Sequence, residues 1–292
     1  MYFLKKEKSN IVLVGGGLVG DAILKKIINS GYLELGTQKI NWNANRGEKL
    51  EIILLFFMDK LFNKKKEKII LIWSAGAAGF SADRESVHNE MIFFEQVINA
   101  ISDIVKKKLD MELSVFLMSS IGGLFEGQSL ITRNSEPSPL RPYGELKLAQ
   151  ENFIRSKTEI NVCIFRLSSV YGYIDTNKRM GLIQTLIMNG LRCESSYIFG
   201  SPDTLRDYVW VNDIASMVLL VSQSSIKKYS LFHLVSGSAI SIYKIKLMIE
   251  LVINKKLYLS YSFNKTNSLN ICCVADSFNG LWIPSKIEHN IM

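Results

Sequence analysis

Asn10-Ile-Val-Leu-Val-Gly15-Gly-Gly-Leu-Val-Gly20 is the stretch whose reading decides the fold. A short apolar run is followed at once by Gly15-x-Gly17-x-x-Gly20, and a helical pattern then continues through Ile28 until Gly31 ends it. The run reads as a buried strand. In that context each glycine has a mechanical use. Gly15 allows a tight turn, Gly17 lets the backbone approach a pyrophosphate, and Gly20 lets the helix pack close to the strand. The helix N-terminus then faces the phosphates. A strand before and a helix after favour a dinucleotide site over a merely flexible turn.

Outward from this stretch the pattern repeats. Thr37 to Trp42 reads as a second strand, and residues 47–63 carry helical periodicity (Leu50, Ile53, Leu54, Phe57, Leu61). Lys68 to Trp73 is the next strand and stops at a small-residue loop, Ser74-Ala-Gly-Ala-Ala-Gly79. A long amphipathic helix is expected from about Ser86 to Val105, a strand from Leu113 to Met118 that ends in Ser119-Ser120, a helix from Tyr143 to about Ser156, and a strand from Asn161 to Leu167. Strand–helix alternation with crossovers of this length implies a parallel, doubly wound α/β sheet. Ligands in such sheets bind at the carboxyl ends of the strands. The Gly loop, Ser74-Ala-Gly, Ser119-Ser120 and Ser168-Ser169 therefore converge on one sheet edge. After about residue 173 the alternation loosens into a smaller lobe interwoven with the sheet, with helices near 179–190, 213–222 and 241–253 and strands at Arg206 to Val211 and 231–235.

Bulk properties agree with one large globular unit or one domain with an appendage. The chain has 292 residues, 48% of them hydrophobic and 21% charged, which is enough to bury a full core. No apolar run approaches the ~18 residues of a membrane span, and the first residues lack the apolar core of a signal peptide. A cytoplasmic protein is expected. Cys163, Cys193, Cys272 and Cys273 show no C-x-x-C spacing, so free thiols rather than a zinc site are expected. The formal charge of +8 permits nucleic-acid binding, but its lysines cluster as Lys64-Lys65-Lys66 and Lys106-Lys107-Lys108, after helical patterns. Cations are favoured at helix C-termini, and no aromatic-basic motif accompanies them.

A second stretch carries chemistry: Arg141-Pro-Tyr-Gly-Glu-Leu-Lys147. Pro142 suits a first helical turn, and Tyr143 and Lys147 at i and i+4 share a helix face. A cation stabilises phenolate, so such a pair can move a proton near neutral pH although free Tyr titrates near ~10. Tyr2/Lys6 and Tyr261/Lys265 match the same spacing, so context must choose. The cofactor is less determined. A NAD site usually has an acid about 20 residues beyond the Gly loop, ending the second strand. Here Asn41-Trp-Asn-Ala-Asn-Arg46 occupies that place without one. Arg46 could meet a 2′-phosphate or simply face solvent, so NAD or NADP stays open.

In order and spacing, these residues resemble the extended short-chain dehydrogenase/reductases, specifically the NAD-dependent epimerase/dehydratase group acting on nucleotide sugars. The marks are the Gly loop, FLMSS at 116–120, PYGELKLAQENF at 142–153, FRLSSVYG at 165–172, IFG at 198–200, RDYVWVNDIA at 206–215, FHLVSG at 232–237 and LWIP at 281–284. The resemblance implies a Rossmann-type NAD(P)-binding domain over 1–172 and a mainly substrate-binding lobe over 173–292. It promotes Tyr143/Lys147 over the two decoys and makes Tyr143 the acid/base, with Lys147 holding the nicotinamide ribose and favouring the phenolate. It further implies that Leu167 to Val170 line the nicotinamide, that Ser169 lies near the substrate phosphates, and that Arg206 grips the nucleotide diphosphate with its bidentate fork. Ala75 and Gly76 would pass close to the cofactor diphosphate. Asp213 is expected to cap a helix beginning at Ile214. Apolar stripes on the helices near 86–105 and 143–156 are mostly core packing, but the equivalent helices of the group pair across a dimer axis, so a homodimer is implied.

Three departures stand out. The group's Ser/Thr that bonds the reacting oxygen falls here at Ile121, Gly122 or Gly123, so Ser120, favoured over Ser119, must do the work or the hydroxyl is missing. The acidic adenine-binding motif after a third strand is absent. The chain also ends soon after Trp282-Ile-Pro284, which implies a trimmed last segment. The expected function is NAD(P)-dependent oxidation or reduction at a ring carbon of a nucleotide-linked sugar, as a 4-epimerase or 4-keto reductase for surface-polysaccharide synthesis. A dehydratase is disfavoured because Gly122-Gly123 stand where those enzymes carry Asp-Glu. The alternative is a catalytically degenerate Rossmann protein that binds dinucleotide or sugar nucleotide as a regulator or scaffold.

Overall fold

The computed structural model describes residues 1–7, 9–39, 47–61, 68–76, 78–79, 82–107, 111–225, 228–262, 270–278 and 280–291. In chain order the elements of the first half are β1 (Tyr2–Lys6), β2 (Ser9–Val14), α1 (Leu18–Asn29), β3 (Leu33–Thr37), α2 (Gly47–Leu61), β4 (Lys68–Trp73), α3 (Arg84–Lys106), β5 (Glu112–Ser120), α4 (Ile121–Leu124), β6 (Leu130–Ile131) and α5 (Pro142–Arg155). There follow β7 (Asn161–Leu167), β8 (Ser169–Tyr171), α6 (Leu182–Arg192), β9 (Ser195–Phe199), β10 (Leu205–Trp210), α7 (Val211–Gln223) and β11 (Tyr229–Leu234). The chain closes with β12 (Ala239–Ser241), α8 (Ile242–Ile253), β13 (Tyr258–Ser262), β14 (Cys272–Cys273) and α9 (Ile287–Ile291).

A seven-stranded Rossmann-type sheet in the order β11-β7-β5-β4-β2-β1-β3 organises the molecule. From β2 to β11 every pairing is parallel. Successive side chains of a strand point to opposite faces, and both faces are covered. On one, Val12, Ile69, Leu71, Val115 and Ile164 pack with Phe94, Val97 and Ile101 of α3. On the other, Ile11, Ile70, Phe116 and Phe165 pack with Ile23 of α1 and Ile214 and Val218 of α7. This double burial is why β2 and β4 read as unbroken apolar runs.

Within the main sheet, one strand was not foreseen from sequence. Tyr2–Lys6 forms β1, antiparallel to both neighbours, and lies between β2 and β3. Phe3 and Leu4 point to opposite faces and are fully buried, worth roughly 1.5–3 kcal/mol each. Phe57 of α2 stacks on Phe3 with centroids 4.2 Å apart, clamping the strand from above. The strand after α1 also starts earlier than expected. It is Leu33–Thr37 rather than Thr37 to Trp42, of which 40–42 lie outside the described residues. Its burial pattern shows why periodicity gave little signal: it is an edge strand with none of its five residues buried.

The later elements build a smaller cluster around Ile183, Leu186, Ile240, Ile245 and Ile249, beside the carboxyl end of the main sheet. β8, β10 and β12 form a small sheet there, and β9 pairs with β13. β11 and α7 belong to the main sheet and its cover. None of the described helices is long and apolar enough to cross a membrane.

Candidate active site

The Gly loop is built to leave its backbone bare. Gly15 has φ +119, and a Cβ there would stand 2.6 Å from the Ala75 nitrogen. Only glycine satisfies both demands. A Cβ on Gly20 would collide with the Gly15 carbonyl, so α1 closes directly onto the end of β2. At Gly17, the N-cap residue of α1, open space surrounds the Cβ position and no side chain caps the helix. The first-turn amides of α1 are thus left for a ligand or solvent, which favours an anion. A cavity of about 460 Å³ opens here between Gly15–Gly17, Ser74–Gly76, Tyr2 and Thr37–Lys39. Ala75 and Gly76 line it. This bare-backbone cradle fits a dinucleotide diphosphate. Arg46 lies outside the described residues.

The second half of the site is α5. Pro142 occupies its first turn, and Arg141, the N-cap residue, holds Glu126 through two contacts, Nε–Oε2 at 3.0 Å and Nη2–Oε1 at 2.7 Å. Tyr143 and Lys147 do share a face: the ammonium lies 5.8 Å from the centre of the phenol ring. Lys147 is buried and donates to Gln150 Oε1 at 3.1 Å. The decoys are dispersed. Tyr2 and Lys6 sit at opposite ends of β1, and Lys265 lies outside the described residues.

Gly123, soon after Ser120, has a packing reason. A Cβ on Gly123 would lie 2.9 Å from Tyr143 Cε1, so the phenol ring rests where a side chain would otherwise stand. A Cβ on Gly144 would collide with the Gly123 carbonyl. The two glycines let α4 and α5 touch and seat Tyr143. Ser120 is the N-cap of α4, its Oγ accepting from Gly123 N–H at 3.1 Å. Ser119 turns the other way, buried, with its hydroxyl donating to Glu151 at 2.6 Å.

The remaining expected residues lie at the end of β7 and in the small sheet β12-β10-β8. Leu167 ends β7 and is buried; Ser169 and Val170 are half-buried in β8, which pairs with β10 carrying Arg206. Burial lowers the Arg206 pKa from its ordinary value, with Glu126 among the neighbouring charges that oppose this. Asp213 does not cap a helix start. α7 begins at Val211 instead, and Asp213 accepts from Ser285 N–H (2.7 Å) and Oγ–H (2.9 Å), tying α7 to the segment after Pro284. The four cysteines are free thiols.

Three features escaped the sequence reading. Glu90 of α3 is buried, accepts from Ala78 N–H at 2.9 Å and stands 3.9 Å from Lys147 Nζ, between that ammonium and the Ala75–Gly79 loop. The available signal was an acid in phase with the apolar stripe Phe94, Val97, Ile101. Beneath the site, Glu151 is held by Ser119, by Arg155 and by both ends of Arg166, which also reaches His233 Nε2 at 3.3 Å. Finally, the connection between β8 and α6 crosses the cleft. Lys178 donates to the Gly16 carbonyl at 2.9 Å, and the Arg179 guanidinium packs on Gly79. Nothing in the sequence reading pointed to either cation.

Comparison with known proteins gives concordant results. The family model for the NAD dependent epimerase/dehydratase family matches residues 11–233. A Methanocaldococcus jannaschii protein provisionally named UDP-glucose 4-epimerase is 29% identical over 226 residues, 72% of each chain. Among solved structures, MoeE5 with UDP-glucuronic acid and NAD superposes with a TM-score of 0.78 at 18% identity, covering 98% of this chain and 96% of that one. The Thermus thermophilus UDP-glucose 4-epimerase with NAD gives 0.71 at 17% identity over the same shares. At these identities the structural likeness speaks for the fold.

Proposed function

Because the chain belongs to the NAD-dependent epimerase/dehydratase family, we propose that it is a dinucleotide-dependent nucleotide-sugar 4-epimerase. The observation that carries this reading is the seating of Tyr143 on Gly123, one helical turn before buried Lys147, at the same sheet edge as the Gly loop. In this reading a nicotinamide held at this edge would supply reversible hydride acceptance at the sugar ring carbon. Tyr143 takes the proton of the C4 hydroxyl as that carbon becomes a ketone, and returns it after the ring has turned its other face. Lys147 holds the nicotinamide ribose and keeps positive charge beside the phenol. Ser120 hydrogen-bonds the reacting oxygen. Leu167 and Val170 shape the nicotinamide wall, while Ser169 and Arg206 hold the nucleotide diphosphate of the substrate.

Two considerations favour an epimerase over a 4-keto reductase. The curated relative from Methanocaldococcus jannaschii carries the epimerase name. An epimerase must also keep its cofactor through both half-reactions, and Lys178 and Arg179 strap the connection from the smaller lobe across the cofactor cleft. The product would serve surface-polysaccharide synthesis. The same reading places the enzyme in the cytoplasm as a homodimer paired through α3 and α5, which sedimentation equilibrium tests. The reaction itself is tested with UDP-sugars deuterated at C4. Retention of the label in the C4 epimer, without net NADH, is expected. Consumption of added NADPH by a 4-keto sugar nucleotide would replace this reading with the reductase, and no exchange with any sugar nucleotide would leave a binding protein.

A further inference from the structure

The inserted strand β1 changes what stands beside the Gly loop. In the order β4-β2-β1-β3, the strand that follows α1 has no hydrogen bonds to β2. Neighbouring strands lie about 4.8 Å apart, so the end of β3 is displaced to roughly 10 Å from β2. An acid ending the strand after the first helix is what ordinarily holds the adenosine ribose of a dinucleotide. Here that strand ends in Thr37, followed by Gln38 and Lys39. Because β1 runs antiparallel, its beginning reaches the carboxyl edge of the sheet. Tyr2 pairs with Leu13 on one side and Thr37 on the other. Its phenol oxygen lies 3.2 Å from where a side chain on Gly16 would begin. Tyr2, Gly16, Thr37, Gln38 and Lys39 line one cavity, and none of its described lining residues is a carboxylate.

We propose that Tyr2 determines dinucleotide specificity, its phenol hydrogen-bonding the adenosine ribose where a carboxylate would otherwise stand, so that the site admits a 2′-phosphate as readily as a 2′-hydroxyl. A carboxylate accepts hydrogen bonds from the ribose hydroxyls and repels a 2′-phosphate. A phenol can donate to either group and repels neither. The charges around the cavity agree. Lys39 is exposed at its rim. The acid of the first turn of α1, Asp21, is already met by Lys25 at 2.8 Å and Lys178 at 3.7 Å. The inference rests on the dinucleotide reading of the Gly loop and names a residue which that reading did not.

The test is direct calorimetric binding of NAD and of NADP to the full chain, stripped of retained nucleotide, for wild type, Tyr2→Phe and Tyr2→Asp. Wild type is expected to bind the two within about tenfold of each other. Tyr2→Phe keeps the ring packing and is expected to weaken both by about fivefold, the loss of one hydrogen bond. Tyr2→Asp is expected to weaken NADP by about 100-fold relative to NAD, since a close like charge is costly. A wild-type preference for NAD beyond about tenfold, or unchanged binding in Tyr2→Phe, would overturn the assignment. Failure of wild type to bind either dinucleotide would instead overturn the dinucleotide reading beneath it.

Discussion

Glu90 and Lys147 face each other across 3.9 Å with both side chains almost wholly excluded from solvent. One residue comes from α3 and the other from α5, so the pair joins two helices through the site. Removing one partner of a buried pair leaves a charge without compensation. Glu90→Ala is therefore expected to lower unfolding stability by about 3–5 kcal/mol, read by urea denaturation. Glu90→Gln, which keeps an acceptor for the Ala78 amide, should lose distinctly less. Equal losses would show that the charge of Glu90 is not what holds the helices.

The two serines at the end of β5 should separate by readout. Ser119 is committed to Glu151, so Ser119→Ala should cost about 1–3 kcal/mol of stability by removing a buried donor. Its effect on kcat should be secondary. Ser120→Ala should cost about 0.5–2 kcal/mol as a lost N-cap, and lower kcat by about 100-fold as a lost partner of the reacting oxygen. A larger fall in kcat for Ser119→Ala would exchange the two roles.

Gly144 tests the seating of Tyr143. A methyl group there meets the Gly123 carbonyl and comes within 2.7 Å of Pro139 Cβ, so α5 must shift away from α4. Gly144→Ala is expected to cost about 1–3 kcal/mol by overpacking. Displacement of the phenol should lower kcat by about 100-fold while dinucleotide affinity is kept.

His233 predicts a pH dependence of stability. Burial, with the neighbouring Arg166 guanidinium, lowers its pKa from 6.5 to about 4. The unfolded chain therefore takes up a proton below about 6.5 that the folded chain refuses until about 4. Stability is complete above that window and falls as pH drops through it, by on the order of 3 kcal/mol from this group. His233→Gln keeps an acceptor for Arg166 and should flatten the difference between pH 7 and pH 4 by that amount. An unchanged acid slope would contradict it.

What could be read from sequence followed from local rules. The apolar runs of β2 and β4, the Gly loop between β2 and α1, and Pro142 ahead of Tyr143 each specify their geometry within a few residues. What could not be read depends on distant partners. Tyr2–Lys6 carries two lysines and gives no strand signal, yet it is held because Phe3 stacks on Phe57 and Leu4 fills the opposite face. Asp213 has the chemistry of a helix cap, but Ser285 claims it from 72 residues away. Glu90 looks like an error in an apolar stripe until Lys147 is brought against it by the packing of α3 on α5. Ile121-Gly-Gly123 carries no hydroxyl, and what Gly123 supplies in three dimensions is the seat of the Tyr143 ring.

Every chemical step proposed for this chain depends on Tyr143 as the group that moves the proton. Proton NMR tests that role on UDP-glucose or UDP-N-acetylglucosamine incubated with NAD and either wild type or Tyr143→Phe, with NAD affinity measured on both proteins. The C4 epimer should accumulate with wild type. Tyr143→Phe should slow it by about 100-fold to 10,000-fold while binding NAD within a few-fold of wild type. Equal rates of epimer formation by the two proteins would contradict the assignment.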